Sequence, residues 1–146
     1  MSKSNTFENE LLLHVFNNAA LPLIGDAAGL LPAAAAGSLY VAFHTADPTE
    51  TGVQTTSETA YTGYARVAVA RTAGGWTVTG NSVSPTNNVD AGECTAAAGA
   101  DLTYVSVGTA PSGAGKILYR ALLSPAIPMA VGRIPRLKNT STITEE

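Results

Sequence analysis

The chain holds one cysteine, Cys94, in 146 residues, which excludes an intramolecular disulfide and any thiolate metal cluster within one chain. Its ordinary role is that of a small, half-buried apolar residue. Charge is scarce too: 13% of residues are charged and the formal net charge is −3. The acidic residues gather in the first sixty positions and at the C-terminal tip, and no basic field spans the molecule, so nucleic acid is excluded as a general partner. No stretch approaches the roughly twenty uninterrupted apolar residues that a membrane-spanning helix needs. The opening MSKSNTFENE has no apolar run after a basic start. No secretion signal is therefore expected, and synthesis in the cytoplasm is.

What the chain does have is small residues. Hydrophobic residues make up 45% of it, but much of that share is Ala, and Thr and Gly are plentiful, a composition that suits thin sheets with short turns. The length corresponds to one domain, 1–146, with a helix at 5–18, a β domain at 38–131 and an extended C-terminal arm at 132–146. Asn5 and Glu8 have capping-box spacing, and Phe7, Leu11 and Val15 then share one helix face. Pro22, Gly25, Gly29 and Pro32 interrupt 19–37 and prevent a long helix.

From Ser38 the period changes to two. SLYVAFH alternates as a strand, Asp47-Pro48 turns the chain, and the Thr-rich stretch 49–63 reads as an exposed connection. Tyr64 to Arg71 resumes alternation, with Val67 and Val69 inward and Arg66 outward, and Gly74-Gly75 is expected to close a hairpin into WTVTG. One weak strand is expected within 80–100, and clear ones at 102–107 and 116–123. A further candidate at 126–131 is pushed to an edge by Pro128, and a short strand is expected at 140–144. Seven or eight short strands with one N-terminal helix predict a mainly β fold, a β-sandwich or jelly-roll-like domain.

Catalytic patterns fail on detail. The loop GTAPSGAGK resembles a phosphate-binding loop, but Ala110 stands where that motif needs Gly, Ile117 where it needs Ser or Thr, and a strand follows instead of a helix. His44 and Asp47 lie close in sequence, as a triad or metal site would require. The other histidine, His14, is on the helix, no HxxxH, HxH or Cys-His spacing exists, and no GxSxG elbow is present. His44 reads as a structural residue at a strand end. Glu50, Glu58, Asp90, Glu93 and Asp101 fall in expected loops, where solvated surface is the default. Tyr40, Tyr61, Tyr64, Trp76, Tyr104 and Tyr119 fit core and cross-strand packing better than a sugar-binding platform, which keeps a carbohydrate-binding module as an alternative. No cofactor, metal, enzymatic step or small-molecule substrate is expected. Arg133, Arg136 and Lys138 crowd a short segment that Pro135 keeps extended, and they read either as a solvated tail or as an arm gripping an acidic neighbouring subunit.

Four stretches carry a resemblance: SKSNTFENELLLHVF, LYVAFHTADP, YTGYARVAVAR with GGWTVTGN behind it, and YVSVGTAPSGAGKILYRALLS. Together they cover most of 2–125, and the chain resembles a family of small tailed-bacteriophage virion structural proteins, often labelled tail fibre protein and in some phages serving as head decoration. Its departure is the end, GRIPRLKNTSTITEE, where other members finish with an apolar, Gly-containing strand. The resemblance implies a capsid decoration, or cement, protein on the head surface, with a tail or tail-fibre component as the alternative. Its partners would be itself, as a homotrimer, and the major capsid protein. Phe7 and Leu11 of the helix, or Arg133, Arg136 and Lys138 of the arm, would touch the shell, and edges of a thin sheet would be covered by symmetric assembly.

Overall fold

The N-terminal helix begins where an extended residue can cap it. In the computed structural model, which describes residues 1–146, α1 runs Asn5–Asn17, and Ser4, extended at φ −82° and ψ 151°, accepts the Phe7 N–H at 3.3 Å. The cap is therefore Ser4 and not Asn5, one residue before the expected position. The buried face is Glu8, Leu12 and Phe16, one residue round from Phe7, Leu11 and Val15, which are half-buried. Both sets have helical spacing. The second wins because Phe16 meets Trp76 edge-on, ring centroids 4.8 Å apart at 62°, a geometry worth about 0.5–1.5 kcal/mol beyond area burial. Asn18 ends the helix in the left-handed region at φ 52°. Arg71 then donates to the orphan carbonyls of Val15 and His14, both at 2.7 Å, and to Ala36 at 3.3 Å, a charge suited to the negative end of the helix dipole.

Nine strands follow: β1 Ser38–His44, β2 Val67–Ala70, β3 Trp76–Thr79, β4 Ser82–Pro85, β5 Val89–Asp90, β6 Leu102–Gly108, β7 Ile117–Ile127, β8 Arg136–Leu137 and β9 Ile143–Thr144. The fold is mainly β with one helix and several antiparallel sheets, as the periodicity predicts. The chain groups into two compact units, residues 1–38, 69–88 and 138–146 in the first and 39–68 and 89–137 in the second.

Unit 1 contains α1 and the antiparallel sheet β3-β4-β9. Its hairpin turns at Gly80-Asn81, where Thr79 pairs with Ser82 and Gly80 takes φ 60°, the positive value that a two-residue hairpin turn requires at its first central residue. Gly74-Gly75 closes no hairpin, because β2 and β3 belong to different sheets. Leu12, Phe16, Leu21, Trp76 and Val83 are buried. Residues 138–146 supply β9, which pairs Ile143 with Val83.

Unit 2 carries the long strands of the sheet β2-β1-β6-β7, Ser38 and Val69–Ala70 being counted with unit 1. In β1, Leu39, Val41 and Phe43 are buried on one face and Ala42 and His44 on the other, so both faces are covered. The β1–β6 register sets Phe43 opposite Val105 and Ala42 opposite Ser106. β7 is an eleven-residue outer strand that runs through Pro125, a residue tolerated at an edge because it cannot donate to a ladder. The candidate strand at 126–131 is the end of β7 and not a separate element. β5 and β8 pair Val89 with Leu137 and Asp90 with Arg136.

Candidate functional site

The ionisable residues that converge most closely lie in unit 2, along the segment expected to be an exposed connection. Gln54 is fully buried, and Thr59 and Tyr61 nearly so. The polar stretch is drawn inward because its side chains find partners there. Arg66 makes a two-pronged pair with Glu58, Nε to Oε1 and Nη2 to Oε2, each 2.7 Å, and the Tyr64 hydroxyl donates to Glu58 Oε1 at 2.8 Å while accepting the Phe43 N–H at 3.2 Å. The Arg66 side chain is only 3% exposed, so the alternation that puts it outward is overturned by this pairing. Burial pushes the Tyr64 hydroxyl well above the usual tyrosine range, and the adjacent Glu58 adds to the effect. The Tyr61 hydroxyl, which donates to the Gly92 carbonyl at 2.7 Å, is pushed up to about 12, first by burial.

The glycine-rich loop after β6 is filled by this chain's own side chains. Arg66 donates to the Ala110 carbonyl at 3.0 Å and the Gly113 carbonyl at 2.7 Å, and Gln54 Oε1 accepts the Ala110 N–H at 2.9 Å. A phosphate-binding loop turns several free N–H groups toward its ligand; here carbonyls face a guanidinium and the Ala110 N–H is taken. Gly108 and Gly115 are required for this packing, since a Cβ on either would lie 2.2 Å from Gln54 Cδ or 2.1 Å from Gln54 Oε1.

His44 Nδ1 lies 2.9 Å from the Thr56 carbonyl, and Nε2 lies 2.8 Å from the Ser106 hydroxyl. The carbonyl can only accept, so Nδ1 carries the proton and Nε2 accepts from Ser106. This is the hydrogen-bond arrangement of a serine–histidine pair. Both residues are buried, however, His44 completely and Ser106 at 1% exposure, which leaves no approach for a substrate. The third position is filled by a backbone carbonyl, while Asp47 accepts from Arg120 at 2.6 Å and Glu50 pairs with the same guanidinium. Burial lowers the His44 pKa, the Thr56 contact opposing. His44 is thus a neutral fastener between β1, β6 and the 49–63 segment.

The expected arm residues are placed separately. Arg136 forms a two-pronged pair with Asp90, Nε to Oδ1 at 2.5 Å and Nη2 to Oδ2 at 2.7 Å, which holds the Asp90 carboxyl below its ordinary range. Its fork is occupied within the chain. Arg133 is exposed, and its backbone is tied to Cys94, whose N–H donates to the Arg133 carbonyl at 2.9 Å. Lys138 is exposed at the start of the last segment, where its carbonyl accepts the Ser141 N–H at 3.0 Å. Pro135 and Leu137 are buried, so the backbone of 132–137 is paired to its own unit. Phe7 and Leu11 are half-buried on α1.

A family model described as podophage GP4 fiber I protein gp80 matches residues 2–144. The chain belongs to this family. It is therefore a structural protein of the tailed-phage virion, as the resemblance of its strands and turns implies. No curated protein matches it. No helix is long and apolar enough to cross a membrane, and no group of three or more His, Cys, Asp and Glu side chains is placed to hold a metal ion. Trp76 and Tyr61 are buried and Tyr40, Tyr64, Tyr104 and Tyr119 half-buried, the pattern of core packing.

Gln54, Glu58, Tyr64, Arg66 and Ser106 were not legible as a cluster. Their partners lie up to 62 positions apart, and none sits in a motif. The signal that was present is the pair Gly108 and Gly115, glycines that make room for a long side chain.

Proposed function

We propose that this chain is a building block of a phage fiber that acts by surface contact, with no catalytic step of its own. The observation that carries the reading is the extent of the family match, 2–144, which takes in every element of both units. The interior supports it. His44 with Ser106 is shut from solvent, and Glu58 with Arg66 is spent on loop anchoring. Partner contacts fall to exposed residues, Arg133 and Lys138 among them, and a neighbouring acidic subunit suits both. Arg136 is a weaker contact residue than the sequence implies, because Asp90 already holds it.

Quantitative mass spectrometry of separated heads and tails tests the proposal. A few copies per particle, found with the tails, is the expected result. A ratio near one-to-one with the major capsid protein on tail-free heads would overturn it in favour of a head decoration, or cement, role.

A further inference from the structure

Two surfaces of this chain expose large apolar side chains, and each carries one charge, of opposite sign. The first is the loop 21–31 in unit 1. Leu21 and Leu30 close it by exchanging backbone hydrogen bonds of 2.9 and 2.8 Å, and Asp26 Oδ1 braces its tip by accepting the Ala28 and Gly29 N–H groups, both at 2.9 Å. Its base is held by Asn18, whose amide bonds both the N–H and the carbonyl of Ala33. On this frame Leu23 is 80% and Leu31 68% exposed, with Ile24 and Leu30 also outward. Leu23 stands at φ 64°, a left-handed conformation disfavoured for a branched side chain. The loop has no basic residue, and Asp26 is its one acid.

The second surface is the segment 130–134 in unit 2. Ala130, Val131, Gly132, Arg133 and Ile134 line a shallow recess of about 400 Å³. Its backbone is fixed by the Arg133 N–H to the Ala130 carbonyl at 3.1 Å and the Gly132 N–H to the Cys94 carbonyl at 2.8 Å. Val131 is 66% and Ile134 50% exposed. Between them the Arg133 guanidinium has no partner within the chain, and the segment has no carboxylate.

We propose that loop 21–31 of one copy seats in the 130–134 recess of a second copy, with Leu23 and Leu31 against Val131 and Ile134, and Asp26 against Arg133. The occupant is assigned by complementarity: a projecting apolar loop with one negative charge meets a recess edged by the exposed Val131 and Ile134 and carrying one positive charge, and neither segment holds a charge that would repel the other. A lipid surface is disfavoured because the loop lacks the Lys and Arg that attract anionic headgroups. The two patches differ, so the contact is head-to-tail and repeats from copy to copy. It is small against the roughly 800 Å² per partner of a standard interface, so association depends on concentration. The inference goes beyond the fiber reading and holds wherever in the virion the protein is placed.

Sedimentation velocity on the purified full chain tests it. The wild-type mass is expected to rise with concentration, and Asp26→Asn, which keeps the Oδ1 acceptor, to weaken association about tenfold. Leu23→Asp, with its loop blocked, and Ile134→Asp, with its recess blocked, should each remain monomeric. Mixed together they should form a dimer and stop there, because one intact loop and one intact recess remain. Circular dichroism confirms folding, and Leu31→Asp replaces Leu23→Asp if the latter does not fold. A monomeric wild type at all concentrations, association unchanged in the variants, or a mixture that stays monomeric would each overturn the proposal.

Discussion

Unit 1 closes around Leu12, Phe16, Trp76 and Val83, with Glu8 its one buried charged residue and Arg71 fastening the last carbonyls of α1, whereas unit 2 admits His44, Gln54, Glu58, Arg66 and Ser106 to its interior beside Val41 and Phe43. The difference follows from what each must hold. Unit 1 packs a helix against a small sheet, and rings fill that space. Unit 2 must pin two long loops, 45–66 and 109–116, whose own residues are mostly small or polar. Polar groups with fixed partners do this where Ala and Thr cannot. In unit 2 the Arg66–Glu58 pair therefore anchors loops.

The comparison breaks most sharply on large deletions. Arg66→Ala strands Glu58 and is expected to cost about 3–5 kcal/mol, while the double change Glu58→Leu with Arg66→Met recovers most of that loss because a buried ion pair is replaceable by apolar volume. Trp76→Ala is expected to cost about 3–5 kcal/mol through the cavity it leaves. Urea unfolding of these variants measures both.

Acid separates the two solutions next. His44 has its folded pKa below the ordinary value of about 6.5, so the unfolded chain takes up a proton first as pH falls. Stability contributed by neutral His44 is thus full above that value and declines below it, down to the folded pKa. The melting temperature should drop from pH 7.5 to 5.5 in the wild type (about one unit either side of the ordinary histidine pKa), and His44→Gln should flatten the change.

Smaller effects refine the picture. Ser4→Ala removes the cap of α1 and is expected to cost about 1 kcal/mol. Arg136→Ala should leave the melting temperature unchanged, because its pair with Asp90 is exposed on both sides and solvent screens it. A clear drop would promote that pair to a structural fastener.

The periodic elements were legible because their information is local. SLYVAFH gives β1 over 38–44 and LTYVSV gives most of β6, since alternation alone reports a strand. The helix was found, yet its face was misplaced by one residue, because Phe7, Leu11, Val15 and Glu8, Leu12, Phe16 share the same spacing and only the distant Trp76 decides between them. Gly74-Gly75 and Gly80-Asn81 carry equally good turn signals, and which of the two closes a ladder depends on sheet membership. Arg66 reads as outward by alternation, and Arg71 carries no sequence signal of its role. Arg66 is anchored to Glu58 across a loop whose path no motif fixes, and Arg71 to carbonyls 56 and 57 residues away, which leave no trace in neighbouring sequence.

Amide-resolved hydrogen exchange on Arg66→Met beside the wild type tests the division of labour most directly. The account requires faster exchange at Gln54, Thr59 and Ala110, whose N–H groups depend on the buried cluster, with α1, β3 and β4 unchanged. Equal acceleration in both units, or none in either, would contradict it.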